Sequence, residues 1–350
     1  MKRSTETIAG DTDGVAYSFP VYRFAGRDTG APSAYIQAAL HADELPGTVA
    51  IHALMPLLRM AEEDGRINGA ITVVPAANPI GRSQYLFGAR QGRFHLGTRT
   101  NFNREFPKLA RPDRALLPPE GGLATADQRL KARLVGLSLR HDIVLDLHCD
   151  DEGVSYLYLP AILWPAMADC AVAMGVEAVV LWDGESTGEF EEAAIHPHLA
   201  PGADLSRKVV TTAELRGEAD VYREHAEADG RGLYRLLVAR GVVADETLAP
   251  LPVFKGVAAP IGNIEMVKSP RAGAVLYDVK PGDRVKAGQR LATVVHAPGE
   301  EDGSIDVLAP QAGYVLTRRS TRALRANEDL LKLVGEKPSS AIRRQGALEA

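Results

Sequence analysis

Apolar residues in this chain fall into short blocks that alternate between two periods. Residues 34–40 are apolar almost throughout, as a strand buried on both faces requires, and residues 48–60 repeat their apolar positions at helical spacing. Arg66-Ile67-Asn68-Gly69 then turns into a second buried run, 70–75. Strand, helix, strand in that order predicts a parallel crossover, normally right-handed. The same alternation continues with an amphipathic helix over 125–140, strands over 142–148 and 154–159, and a helix over 164–174. It ends with a strand over 178–182, a helix over 189–199, a strand over 208–215 and a long helix over 221–240. Ahead of it, residues 15–24 read as a strand, and the polar residues 1–14 read as frayed. The pattern predicts an α/β domain with helices on both faces of a mixed, largely parallel sheet. Between Asn78 and Pro119 the periodicity is lost in a stretch rich in Arg, Gly and Pro, and irregular segments of that length are usually functional.

Around Ala249-Pro250-Leu251-Pro252 the character changes to short β runs with Gly and Pro turns, which divides the chain into domains 1–249 and 250–350. The second part repeats itself. Ser269-Pro270-Arg271-Ala272-Gly273-Ala274-Val275-Leu276 matches Ala309-Pro310-Gln311-Ala312-Gly313-Tyr314-Val315-Leu316, and 284–291 match 323–330. Two such halves predict a small all-β sandwich with pseudo-twofold symmetry. It resembles the biotinyl/lipoyl carrier domain, whose modified lysine sits where the halves join. Residues 296–307 contain no lysine, so the expected role is a structural cap or assembly module rather than a carrier.

The candidate chemistry stands at the predicted strand ends. His41-Ala42-Asp43-Glu44 follows the first buried strand, and His148 ends the run Asp142-Ile143-Val144-Leu145-Asp146-Leu147. In open α/β sheets ligands bind outside the carboxyl ends of the strands. Two imidazoles and one carboxylate with an open position are a catalytic zinc composition, since a structural site is normally closed by four protein ligands. One Zn²⁺ per chain, held by His41, Glu44 and His148, is therefore expected. Asp146 points to the same face as His148 and is a candidate to orient it, while Cys149 alternates away toward packing.

Glu214 ends the strand over 208–215, where a carboxylate can take a proton from a polarised water and pass it to a leaving amine; Glu218 and Asp220 compete for the role. Asn103 and Arg104 lie in the irregular stretch, where a planar guanidinium and a neighbouring amide can grip a substrate carboxylate. Arg82, Arg90, Arg93 and Arg99 are candidates for a second substrate arginine, with Arg93 expected to fill that role. A rival sits in Gly184-Glu185-Ser186-Thr187-Gly188, which fits the serine-hydrolase elbow G-x-S-x-G, with His196, His198 and His225 as partners. A non-enzymatic zinc-binding assembly protein is the third reading.

Taken together, His41-x-x-Glu44, Asn78-Pro79, Asn103-Arg104-x-Phe106-Pro107, Asp146-Leu147-His148 and Glu214 resemble the succinylglutamate desuccinylase/aspartoacylase family over residues 30–240. The resemblance implies a three-layer zinc-carboxypeptidase-like fold. It also implies zinc on His41, Glu44 and His148, a substrate carboxylate on Asn103 and Arg104, and Glu214 as general base. The implied reaction is hydrolysis of the amide bond of an N-acyl amino acid or related carboxylate-bearing amide.

Composition narrows the partners rather than the reaction. At 350 residues, 45 % apolar and 24 % charged, with a formal charge of −5, the chain suggests neither nucleic acid nor membrane as partner. A small molecule is expected, and association into a homo-oligomer is compatible with the sequence. Two cysteines, no apolar signal segment and no long apolar run point to a cytoplasmic protein.

Overall fold

A computed structural model of the chain describes residues 1–184 and 187–340. In chain order the first strands are β1 (Lys2–Ala9), β2 (Ala16–Phe24), β3 (Ala34–Ala38), β4 (Ile71–Val74) and the small hairpin of β5 (Tyr85–Leu86) and β6 (Ala89–Arg90). There follow β7 (Ile143–Asp150), β8 (Glu152–Gly153), β9 (Ser155–Pro160), β10 (Ala178–Trp182), β11 (Val209–Gly217) and β12 (Val257–Pro260). Between them run α1 (Pro46–Glu63), α2 (Pro79–Ser83), α3 (Ala126–Ser138), α4 (Ala168–Met174), α5 (Phe190–Ile195) and α6 (Arg223–Ala239).

The large sheet has the order β1-β2-β4-β3-β7-β11-β9-β10-β12. Its centre is parallel, because β3 pairs with β4 and β7 in one direction and β7 with β11 likewise. Strand β9 runs antiparallel to β11, which makes the sheet mixed. Side-chain alternation sends the two faces of the central strands to different helices. Ala38 and Leu147 face α1, where a Cβ on Gly47 would stand 2.7 Å from that of Leu147. Tyr35 faces the opposite layer, its ring 6.0 Å from that of Phe190 on α5. The apolar core is therefore split by the sheet, and burial on both sides accounts for the nearly continuous apolar runs of β3 and β4.

The expected α/β order holds, with three differences. Residues 2–9 are not frayed but form β1, an antiparallel edge strand on β2 in which Ile8 alone is buried, so its sequence carries no apolar alternation. The helices expected over 164–174 and 189–199 are regular only over Ala168–Met174 and Phe190–Ile195, and Pro197 lies in the tight turn that follows the second. Finally, β12 adds in parallel to β10, so the chain leaves the large sheet only after Pro260, beyond the change in composition at residue 250.

Past it lie β13 (Ile264–Lys268), β14 (Gly273–Tyr277), β15 (Arg284–Val285), β16 (Arg290–Val295), β17 (Ser304–Leu308), β18 (Gly313–Arg318), β19 (Ala323–Leu324) and β20 (Asp329–Gly335). They form two sheets, β13-β20-β18-β15 and β17-β16-β14-β19. Moving each strand to its counterpart in the sequence repeat converts one order into the other, so the repeat is a structural pseudo-twofold. Its equivalent turns even share a left-handed residue, Gly288 at φ 76° and Asn327 at φ 66°.

The sandwich is fastened to the large domain immediately after His148. Asp150 accepts from Lys332 and, at 2.8 Å, from the Tyr156 hydroxyl. Asp151 pairs with Arg319 at 3.0 Å, and Glu152 with Arg318 at 2.6 Å and Arg322 at 2.7 Å. Strand β8 itself pairs with β18.

Candidate active site

The carboxyl ends of β3, β7 and β11 lie side by side at the middle of the sheet, and the loops leaving them carry the predicted residues. After β3 the backbone bends sharply at Ala39, whose φ of 57° is left-handed. A non-glycine residue there costs on the order of 1–3 kcal/mol, and such strain collects at functional sites. Asn78 holds the bend, its Nδ2 donating to the Leu40 carbonyl at 2.8 Å while its Oδ1 accepts from Gly81 and caps α2. Gly92 closes over the same loop, where an added Cβ would meet the Asp43 nitrogen at 2.2 Å. The bend sets His41 and Glu44 against His148 on β7, all three buried, with candidate ligand atoms within 4.8 Å of one another.

Glu44 joins the cluster, with Oε1 2.7 Å from His41 Nδ1 and Oε2 2.8 Å from His148 Nδ1. The other ring nitrogens are held from behind. His41 Nε2 lies 2.8 Å from Asn101 Oδ1, an oxygen that also accepts from the Asn103 N–H, and His148 Nε2 lies 2.9 Å from Asp146 Oδ2. Gln37 donates to Asp146 at 3.0 Å, and the Tyr35 hydroxyl donates to Gln37 at 2.7 Å. Since both rear partners are acceptors, each Nε2 carries the proton and each Nδ1 turns a lone pair toward a carboxylate oxygen. Lone pairs facing each other at those distances repel unless a cation stands between them.

A second proton on each ring is one solution. It suits His148, which Asp146 and Glu44 hold well above the usual imidazole value although burial opposes the charge. It does not suit His41, which burial, aided by Arg93, pushes below it. A divalent metal ion satisfies both rings and the carboxylate at once, so the donor set fits one, with Asp146 and Asn101 as the orienting partners such ligands usually have.

One pocket contains this cluster and most of the other predicted residues: Arg93, Asn103, Arg104, Glu214 and Glu218 all line it. Arg93 Nη1 approaches Glu44 Oε1 at 3.3 Å. Arg82, Arg90 and Arg99 are not among the lining residues, and Arg90 instead reaches the Tyr85 hydroxyl and the Ala42 carbonyl. Asn103 uses its Oδ1 to accept from the Phe190 N–H at the start of α5, and Arg104 lies 3.5 Å from Glu189. Glu214 stands beside His148 across the β7–β11 ladder. Its Oε2 is buried with no hydrogen-bond partner, and burial, with Glu44 and Asp150 nearby, pushes its carboxyl up to about 8. Glu218 is pushed up to about 7 for the same first reason, whereas Asp220 accepts from the Gly217 N–H and closes the turn. Cys149 is buried, as expected for packing, and its backbone N–H donates to Glu44. From the serine motif, Glu185 and Ser186 lie outside the described residues, and His196 Nδ1 is engaged by the Leu109 carbonyl at 2.9 Å.

Comparison with known proteins agrees with the geometry. The model of the succinylglutamate desuccinylase/aspartoacylase catalytic domain matches residues 30–240, more than half of the chain. The chain belongs to that family. Its members are desuccinylase- and aspartoacylase-type hydrolases of small molecules, so the residues gathered at this sheet edge sit in an amide-cleaving family fold. A crystal structure of a putative family protein from Shewanella amazonensis shares 27 % identity, covers 96 % of this chain and 99 % of its own, and superposes with a TM-score of 0.83. Another, from Shewanella frigidimarina, shares 24 % with coverage of 97 % and 99 % at TM-score 0.83. The product-bound ectoine utilization protein EutE (DoeB) of Ruegeria pomeroyi shares 18 %, covers 94 % of each chain and has a TM-score of 0.69, a likeness of fold. Among curated proteins none matches the chain. The coverage of whole chains means that the sandwich, too, belongs to the shared architecture.

Residues that the sequence did not single out but that support the site are Gln37 and Asn101, behind the candidate ligands, and the carboxylates Asp150, Asp151 and Glu152, which hold the sandwich. Gln37 had a signal, a polar side chain inside an apolar strand. The other four looked like ordinary loop polarity.

Proposed function

We propose that the protein is a zinc-dependent amidohydrolase acting on an N-acyl amino acid or a related amide that bears a free carboxylate. The observation that carries this reading is the convergence of His41, Glu44 and His148 with a buried, unpartnered carboxylate, Glu214, in one pocket. Bound by the three ligands, zinc would polarise the scissile carbonyl and lower the pKa of a water enough to supply the nucleophile near neutral pH. Glu214 then has the place and the proton affinity of a general base, taking the proton of the attacking water and returning it to the leaving nitrogen. Asn103, whose oxygen is engaged by Phe190, retains its NH₂ as a donor, and with Arg104 it would hold the substrate carboxylate. Arg93, against Glu44, is the second arginine within reach. The sandwich contributes Lys332, Arg318 and Arg319 to the pocket wall, which fits a small substrate. Two free, buried thiols, Cys149 and Cys170, accord with a cytoplasmic setting.

The test is a matched pair, an N-acyl amino acid and its carboxamide. The wild-type protein should prefer the free acid by on the order of 10²-fold in kcat/KM, as expected for a desolvated guanidinium–carboxylate pair, and Arg104→Ala should erase the preference. Equal rates on both members in the wild type would remove the carboxylate anchor.

A further inference from the structure

Strand β11 is irregular just past the pocket. It pairs Glu214 with His148 of β7 and then Gly217 with Asp150, so two residues, Leu215 and Arg216, stand against the single Cys149. That is a β-bulge, a feature that re-aims side chains beside active sites, and its second residue is left-handed, Arg216 at φ 62°. Simple alternation would return Arg216 to the face of Glu214. The bulge sends it to the opposite face instead, as its partners there show. One is Ser155 of β9, the residue that stands opposite Leu215 in the ladder, and the other is Asp229 of α6.

A left-handed arginine persists only where its surroundings over-determine it. Arg216 Nη1 donates to Ser155 Oγ at 2.8 Å and to Asp229 Oδ1 at 3.1 Å, and Nη2 donates to Asp229 Oδ2, a two-pronged pair. Asp229 is buried, and the helix that carries it has no room to shift. A Cβ on the next residue, Gly230, would stand 2.8 Å from the Ala53 Cβ and 2.9 Å from the Leu54 nitrogen of α1. Helix α1 itself starts at Pro46, directly after the loop of His41 and Glu44. On the other side of the bulge, a Cβ on Gly217 would meet the Asp151 carbonyl at 2.6 Å, and the Glu218 N–H donates to the Asp150 carbonyl at 2.9 Å. The bulge is therefore clamped between the α1–α6 layer and the turn that leaves β7.

We infer that Arg216 and Asp229 are positioning residues for Glu214: their ion pair holds the bulge that aims this carboxylate into the pocket, and neither touches the substrate. The inference rests on the reading of Glu214 as general base and adds what keeps it in place. Glu214 Oε2 has no hydrogen-bond partner of its own, so the pose of the carboxylate is set from the backbone. That arrangement suits a base, because donors bonded directly to the carboxylate would hold it in place but weaken its hold on a proton. The charge of Arg216 is spent on Asp229, so the clamp adds no net positive charge behind Glu214. A brace of this kind acts on the rate rather than on substrate affinity, since a base displaced by about 1 Å costs on the order of 10²-fold in the chemical step.

Two variants test the clamp from its two ends. Asp229→Asn keeps the shape of the acceptor but removes its charge, and Arg216→Gly removes the fork while accepting the left-handed backbone without strain, which guards against loss through misfolding. Each should lower kcat on a cleaved substrate on the order of 10–100-fold, with KM within about twofold of wild type and metal content unchanged. Crystal structures of the variants should show the Glu214 carboxylate displaced by about 1 Å. In a Glu214→Gln background Asp229→Asn should cost no further rate, because the place of an absent base no longer matters. A second, additive loss in that background is the mark of a general structural brace and overturns the inference. So does a Glu214 carboxylate that stays within about 0.5 Å of its wild-type place in both variants. Full turnover in Glu214→Gln alone overturns the general-base reading instead, and the displacement in the crystal structures then decides the clamp by itself.

Discussion

The two sides of the pocket are built on opposite principles. On the metal side the ligands are held from behind: Tyr35 donates to Gln37, Gln37 to Asp146, Asp146 faces His148, and Asn101 faces His41. On the facing side, Glu214 Oε2 and Trp182 Nε1 are buried with no hydrogen-bond partner, and Glu191 and Thr212 are paired with each other. The first arrangement is fixed before anything organic binds, as a metal site requires, because ligand rings must be held in one tautomer and orientation. The second is an incomplete network, and incomplete networks inside proteins cost stability unless something fills them. On the proposed reading the difference divides labour: one side positions, the other meets the substrate.

Changing one side without the other should separate the two roles. The largest effect is expected for Glu214→Gln, which keeps the shape of the side chain but removes the base. Turnover should fall on the order of 10²–10⁴-fold, measured as kcat on a cleaved substrate, with metal content unchanged. Retained turnover would move the role to Glu218, which lines the same pocket. Next comes Asp146→Asn, which removes the charge behind His148. Metal affinity, measured by competition with a chelator, should weaken roughly 10–100-fold. Thr212→Val, directly across the ladder, should leave that affinity unchanged; a comparable loss there would erase the distinction between the sides.

The smallest effect concerns pH. Glu191 is raised from the usual carboxyl value of 4.5 to about 7. Within that window the folded chain holds more protons than the unfolded one, so this group's contribution to stability declines as pH rises. The melting temperature of the ligand-free protein should therefore drop between about pH 5 and about pH 7, and Glu191→Gln should flatten part of the drop. A steeper drop in the variant would contradict the placement of Glu191.

Much of this was legible because parallel strands buried on both faces announce themselves as apolar runs. The polar residues that end them, His41, His148 and Glu214, stand at the edge where such sheets bind ligands. Asp146 could be assigned to the face of His148 from alternation alone. Glu191 could not be found that way. It sits in an acidic stretch, Glu189 to Glu192, that reads as solvated surface, and only the packing of α5 on the sheet buries it. The grip on the sandwich was hidden for the same reason, since Asp150, Asp151 and Glu152 look like a charged turn until their partners arrive from residues 318–332. Strand β1 escaped because an edge strand with one buried residue has no pattern to show.

The measurement that bears most directly on the central claim is a metal titration of depleted protein. Chelation should abolish amide hydrolysis, and added Zn²⁺ should restore it in proportion up to about one ion per chain, the stoichiometry of a single three-ligand site. His148→Ala should remain folded by its melting profile yet neither bind the ion nor recover activity. Turnover that survives chelation, or a His148→Ala protein with its full metal complement, would contradict the account.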